Sequence, residues 1–397
     1  MIETPHAHGP DCGCRSDPLG LALSSIGAHV AILKAKGLGD LLELAKAEIR
    51  FRDDLVDAHA RAWDSALKTA LGSLGTSGEA TARDVDRFVS TLSKTYSNAF
   101  GPAAAKLFAV FFPKVYKLGK SAAWKKALGQ FKGSLQYPSP EPVAETPVKK
   151  AEEGIEPAAP AVPKPKRASP RHRVTVNPSF NVKDEQAIGA LTDSHRFWVG
   201  DFVQAASPSI KGYASTTLLD EGLSKAEAGA NLRAKLDGYF SGLGSSVDAA
   251  IPAGYTGTPK LYFEGVAANA ATVGRVYGSV RGFADLGVSE FMIVNPGDES
   301  TCERCLAMDG KVFPVQTGID QISATIASVS AGGDPKAEQA AVRSAQPWVS
   351  ESQFAKLPKD SAGLAAAGVC LPSYHLGCRC TVDVAPGATL GAPESEE

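Results

Sequence analysis

The chain carries 397 residues, 44% hydrophobic and 21% charged, enough apolar content for two or three packed domains. A formal net charge of −2 excludes a global field steering it towards nucleic acid or anionic lipid, so any basic patch must be local. No apolar run reaches the roughly 20 residues of a membrane helix, and the opening MIETPHAHGPDCGC lacks the basic and apolar regions of a secretory signal, so the expectation is no membrane partner and folding in a reducing cytoplasm.

Residues 1–18 read as a disordered tail interrupted by Gly and Pro. Its His6, His8, Cys12 and Cys14 lack the hydrophobic frame that would fix metal geometry. Residues 19–135 read as an α-helical domain. Between Asp40 and Leu71, apolar residues such as Leu44, Ile49, Leu55, Ala62 and Ala66 recur at helical spacing with no proline between them. The Gly72–Gly78 stretch ends that helix, and Ser77 or Thr81 offers an N-cap for the next. Gly101-Pro102 predicts the opening of a further helix, with LFAVFF (Leu107–Phe112) as its buried segment before Pro113. Nothing in this domain carries visible chemistry.

Residues 136–176 are rich in Pro, Ala, Glu and Lys and read as a semi-extended linker. Its end is basic, with Lys164, Lys166, Arg167, Arg171 and Arg173 uninterrupted by any acid. These five are candidate sequence-independent DNA contacts through phosphate neutralisation; the bland alternative is a solvated linker.

Beyond the linker, residues 177–386 read as an α+β domain. A helix is expected from Asp184 to Ala206, stopped by Ser207-Pro208. Ser224-Lys225-Ala226-Glu227 is a capping box opening a helix through Phe240. The best-patterned helix runs from Leu261 to Asp285, where Phe263, Val266, Ala270, Val273, Tyr277, Val280 and Ala284 form one apolar seam. Gly274, Gly278 and Gly282 repeat beside it, and three costly helical glycines in register predict another backbone packed unusually close. Glu264, Asn269 and Arg275 read as surface or capping positions on this helix, and Gly287 as its left-handed cap.

Glu290–Val294 reads as a strand, and Met308-Asp309-Gly310-Lys311 as a hairpin turn with Val312–Val315 returning. Thr381–Val384 is a later strand. Residues 316–371 read as an insertion with helical pieces at Ile319–Ser330 and Pro335–Gln346, and residues 387–397 as a disordered tail. The expected fold is thus a mainly α N-terminal domain plus an α+β C-terminal domain, its helices packed on a small antiparallel sheet stapled by metal or disulfides.

The chemical signal lies in the cysteines. There are 7, an odd number in short steps, which is a poor disulfide framework for a large cytosolic chain and points to metal. Cys302 and Cys305 form a C-x-x-C step, and His375, Cys378 and Cys380 arrive together much later. C-x-x-C lets two thiolates grip one tetrahedral ion from a turn, while C-x-C on a strand puts both sulfurs on one face. Five candidates for four places leave two arrangements. One is Cys302, Cys305, His375 and Cys378 with Cys380 outside; the other is a four-cysteine site with His375 bonded to a thiolate or carbonyl. Either is a closed site suited to structural Zn²⁺, so no enzyme activity and no small-molecule substrate are expected. Disulfides or free thiols are the alternative.

These residues also carry a family resemblance. FEGVAANAATVGRVYGSVRGFADLGVSEFMIVNPGDESTCERCLAMDGKVF, followed by P-x-x-H-x-x-C-R-C-T, resembles the phage Mu F-like head morphogenesis domain. The shared order is a long helix with Glu264 near its start, a strand, then Asp298, Thr301, Cys302 and Cys305. An apolar-D-G-K-x-F step follows at Asp309, Gly310, Lys311 and Phe313, and His375, Cys378, Arg379, Cys380 and Thr381 close it. The match is firmest over residues 260–313 and 372–382. It departs at Leu376-Gly377, where the family has Pro-Asn, and in the extra Cys370. The resemblance implies a minor capsid protein of a phage or prophage, assembled in the host cytoplasm and residing in the virion. Its implied partners are the portal protein, other capsid or scaffold proteins and packaged DNA. Alternatives from other classes are a toxin-type enzyme, for which little chain follows Cys380, and a zinc-stapled nucleic-acid binder using residues 164–173.

Overall fold

The computed structural model describes residues 39–131, 180–220, 223–241, 259–298, 301–330, 335–346, 349, 351–375 and 377–391. The N-terminal His6, His8, Cys12 and Cys14, the linker with its Lys164–Arg173 basic run and the last residues of the C-terminal tail lie outside them.

Helix α1 (Gly39–Gly72) forms where the sequence pattern places it. Its buried stripe of Leu44, Phe51, Leu55, Ala62 and Ala66 faces α2 (Ala82–Gln130), with Phe51 stacked on Phe111 at a centroid distance of 3.9 Å. Thr81 caps α2: its backbone N–H and its hydroxyl both donate to the Asp84 carboxylate, at 2.9 and 2.8 Å.

No new helix opens at Gly101-Pro102, and none closes before Pro113. Helix α2 passes through both prolines as one continuous element. Each proline removes one helical hydrogen bond and costs about 3 kcal/mol. Against that, Phe100, Ala104, Phe108, Phe112, Val115 and Tyr116 form one unbroken buried stripe, and a large side chain fully buried is worth about 1.5–3 kcal/mol. Tertiary packing overrides the local break. The same holds at Pro208, which lies inside α3 (Val182–Ser215) rather than ending it, because Phe202, Ala206, Ile210 and Ala214 are buried across it. Helix α4 (Lys225–Ser241) opens on the expected capping box, the Ser224 hydroxyl donating to Glu227 at 2.6 Å.

Helix α5 (Pro259–Asp285) is central, contacting α1, α2 and α3. The glycine repeat does what its pattern predicts. A Cβ on Gly278 would collide with the Tyr116 carbonyl of α2, and one on Gly282 would sit 3.0 Å from the Lys120 carbonyl oxygen. The converse holds at Gly119 of α2, whose Cβ would meet the Arg275 carbonyl, and the Ser279 hydroxyl donates to the Gly119 carbonyl at 3.1 Å. A buried charge cluster closes the end of this contact. Lys120, 1% exposed, reaches Asp184 of α3 at 2.6 Å and Asp285 of α5 at 2.7 Å, and the Tyr116 hydroxyl also donates to Asp184 at 2.9 Å.

Gly287 (φ +69°) turns the chain into β1 (Glu290–Val294), the centre of a three-stranded antiparallel sheet. Strand β1 pairs with β2 (Val312–Pro314), Phe291 opposite Phe313, and with β3 (Thr381–Val384), Ile293 opposite Val382. A helix, α6 (Glu303–Met308), precedes the Asp309-Gly310 turn, in a segment for which the sequence pattern predicts no element. Cys302 takes the N-cap position in extended backbone, and the six residues after it close one helical turn before Gly310 (φ +70°) reverses the chain. The Asp-Gly step therefore joins helix to strand.

Helix α7 (Val315–Ser330) begins directly after β2 and packs on α3 and α5. Helices α8 (Pro335–Ala345), α9 (Glu351–Phe354) and α10 (Ser361–Ala366) follow. The fold class is a helical N-terminal part with an α+β C-terminal part. Both contribute to one continuous core, from Leu55 and Phe108 to Phe291 and Cys378.

Candidate metal centre

Three elements build the site. Cys302 and Cys305, three residues apart across the start of α6, turn their sulfurs to the same side of one helical turn. His375 and Cys378 come from the loop between α10 and β3, and Cys380 from the residue before β3.

His375 Nε2 lies 3.2 Å from Cys302 Sγ and 3.1 Å from Cys305 Sγ. Cys378 Sγ stands 3.8 Å from Cys305 Sγ. Two overlapping triads result, Cys302–Cys305–His375 and Cys305–Cys378–Cys380, each with its ligand atoms within 4.8 Å of one another. Cys305 is the vertex they share. All five sequence candidates thus fall into two groups of three that could each hold a metal ion. No disulfide forms among the described cysteines. Cys370, also buried, is no member of the group: its thiol donates to Gln321 Oε1 at 2.8 Å, and burial pushes its pKa up to about 12.

The donor set fits a tetrahedral thiophilic ion. With metal–sulfur bonds of about 2.3 Å, two sulfurs of a zinc tetrahedron stand about 3.8 Å apart, and the Cys305–Cys378 separation is 3.8 Å. The contacts to His375 are a few tenths of an ångström shorter than the corresponding sulfur–nitrogen edge of about 3.5 Å, an adjustment within the reach of side-chain rotation. Electrostatics point the same way. A hydrogen bond from Cys305, with a second from His375, holds the Cys302 thiol down to about 3. Cys305 also donates to Cys378, whose pKa is held well below the usual thiol range, while Cys305 itself is pushed up by its bonds to Cys302 and Cys378. One thiol between two thiolates is the compromise that crowded sulfurs reach; a cation placed among them lets all the ligands ionise.

A polar frame fixes the loops. Arg379 donates through Nη1 and Nη2 to both oxygens of Asp298, each at 2.6 Å. The Thr301 hydroxyl donates to Asp298 Oδ1 at 3.1 Å. Asp309 Oδ1 accepts the backbone N–H of Asn295 at 2.9 Å, and Asn295 Nδ2 donates to the Cys305 carbonyl at 3.3 Å. From α5, the Thr272 hydroxyl donates to the Cys378 carbonyl at 2.8 Å. Asp298, Thr301, Asp309, Gly310 and Arg379 are therefore scaffold around the sulfurs. Glu264 lies buried on α5 and is not among the ligand groups.

Asn269 corrects its sequence reading: it is 1% exposed and neither a surface nor a capping residue. Its Nδ2 donates to Ser373 Oγ at 2.9 Å, Ser373 donates to the His375 carbonyl at 2.9 Å, and its Oδ1 faces His195 Nε2 at 3.1 Å. With the serine proton directed at His375, the amide must donate to Ser373, so its oxygen accepts from His195. Asn269 lies three residues after Val266 and four before Val273, a spacing that places it on the buried seam and could have revealed it. His195 carried no such signal.

The chain matches no protein-family model, no curated protein and no solved structure.

Proposed function

We propose that this chain is a minor head protein of a phage or prophage, acting in capsid morphogenesis, and that its Cys/His group holds a structural zinc ion. The observation that supports the reading is the convergence of the motif order D-x-x-T-C-x-x-C and H-x-x-C-R-C-T. Its parts, far apart in sequence, meet at Asp298–Arg379 and at Cys302–His375. Four thiols and an imidazole form a soft donor set that favours Zn²⁺ over hard cations. When bound, zinc supplies a cross-link closing the long segment between Cys305 and His375. Cys305 anchors it, His375, Cys378 and either Cys302 or Cys380 complete it, and Asp298, Arg379, Asn269 and Thr272 hold their loops in place. In this reading the site performs no turnover. The protein works by contact, with the portal and other capsid or scaffold proteins, beside packaged DNA inside the capsid.

Two measurements test it. Elemental mass spectrometry of purified protein, with a thiol count before and after chelation, is expected to give about one zinc per chain and thiols freed by the chelator. Metal-free protein with fully reactive thiols would remove the zinc. Deleting the gene from its phage or prophage is expected to leave aberrant or empty heads by electron microscopy; normal infectious heads would sink the capsid role.

A further inference from the structure

A second surface, remote from the Cys/His group, is organised by charge. From Arg87 to Pro140 the sequence holds no acidic residue but a succession of lysines. Most of this stretch is α2. Two of its lysines serve the fold, Lys120 in the buried cluster and Lys126 pairing with Asp383 of β3 at 2.9 Å. Lys106, Lys114, Lys117 and Lys125 are exposed. Through Val110 and Ser121 they are spaced by steps of three and four, so all four share one helical face. At 1.5 Å per residue the stripe runs roughly 29 Å. Val110, between Lys106 and Lys114, is 78% exposed. Glu43, the acid whose field Lys114 feels, is itself bound to Lys46 at 2.9 Å.

We propose that this face of α2 binds the phosphate backbone of duplex DNA without reading its sequence. Duplex DNA carries about one charge per 1.7 Å of axis, so a straight row of ammonium groups meets a dense, regular line of partners. The face is built from lysine alone. An ammonium is a point donor suited to phosphate, whereas base edges are read by the planar forks of Arg, Asn and Gln. Of the aromatic side chains between Lys106 and Lys125, four are buried and Trp124 is half-buried against Gly282 of α5, so none is an exposed platform of the kind unpaired bases need for stacking. Duplex backbone is the polyanion that suits it. The inference stands on helix geometry and charge alone, whatever becomes of the capsid reading, and it places DNA contact on folded residues in addition to the Lys164–Arg173 run.

The test is fluorescence anisotropy with the full chain and a short labelled duplex of mixed sequence, repeated across salt concentrations. Four phosphate contacts contribute a slope of about −3.6 to log K against log salt. The variant with Lys106, Lys114, Lys117 and Lys125 all changed to Gln is expected to lose at least about tenfold in affinity and to flatten by that slope. Changing Lys164, Lys166, Arg167, Arg171 and Arg173 to Gln is expected to leave the α2 contribution in place. Should the quadruple variant aggregate, single Lys→Gln changes must each flatten the slope by about 0.9. No duplex binding by the parent protein at low salt, an unchanged slope in the α2 variants, or tighter binding of the single strand than of the duplex would each overturn the proposal.

Discussion

Arg379 grips Asp298 with both guanidinium nitrogens at 2.6 Å, tying the residue between two late cysteines to the turn that presents two early ones. The side chains are 43% and 42% exposed, so the direct Coulomb gain is small, about 0–1 kcal/mol. What the pair supplies is geometry. A fork on a carboxylate fixes orientation as well as distance, and Asp298 passes that constraint on through Thr301. Arg379→Lys keeps the charge and loses the fork. It is expected to weaken zinc binding by about tenfold while leaving the melting temperature of chelated protein within a degree or two, as for other residues that orient ligands without touching the metal. Competition against a chromophoric chelator measures it, and unchanged affinity would deny the pair its positioning role.

Cys305 belongs to both triads, whereas Cys302 and Cys380 belong to one each. Five donors for four places therefore do not share the burden equally. Cys305→Ser is expected to abolish stoichiometric zinc and to unfold the loops around β3, read as loss of amide protection there. Of Cys302→Ser and Cys380→Ser, one is expected to retain about one zinc per chain. Retention of stoichiometric zinc by Cys305→Ser would show that the ion sits elsewhere.

The sequence was most legible where one local rule agreed with its surroundings. Helices α1 and α5, the Ser224 box, strands β1 and β3 and the five metal candidates all appear where spacing and caps put them. It misled where a strong local signal met a stronger distant one. Pro102, Pro113 and Pro208 each announce a break, but the buried aromatic and alanine stripes running through them bind to helices far away in sequence. The roles of Asn269, His195 and Lys120 are also long-range facts. A polar residue's partner is fixed only when α2, α3 and α5 come together, and spacing along one helix does not reveal it.

The glycines of α5 give a sharper contrast. At Gly278 a methyl group would strike the Tyr116 carbonyl, backbone against backbone, with no flexible side chain to yield. Gly278→Ala is expected to force α2 and α5 apart and to cost about 3 kcal/mol or more, the upper end for overpacked sites. Gly189 lies inside α3, and a methyl group there would meet nothing within 4 Å. Gly189→Ala is expected to stabilise by about 0.5–1 kcal/mol through helix propensity alone. Chemical denaturation of both variants tests the pair. Equal effects would mean that the close approach does not limit the packing.

Two buried histidines predict an early loss of stability in acid. His59, whose Nδ1 lies 2.7 Å from the Tyr96 hydroxyl among the rings of Phe100, Phe202 and Phe263, is held by burial at a pKa of about 3. Burial likewise holds His195 at about 4, against the opposing pull of two acceptors facing its ring nitrogens, the Leu191 carbonyl and the Asn269 amide oxygen. In the unfolded chain both titrate near 6.5. Above that pH neither state binds a proton, and the contribution to stability is complete. Below it the unfolded chain takes up protons that the folded chain refuses, so stability falls as pH drops, down to the folded values. The slope is about 1.4 kcal/mol per pH unit for each histidine. Urea unfolding of His195→Gln between pH 6 and pH 4.5 is expected to show a slope shallower than the parent's by about that amount. Cysteine protonation at the metal site is common to both proteins and cancels in the difference. Identical slopes would mean that His195 is already charged in the folded protein, with Leu191 and Asn269 both accepting from an imidazolium.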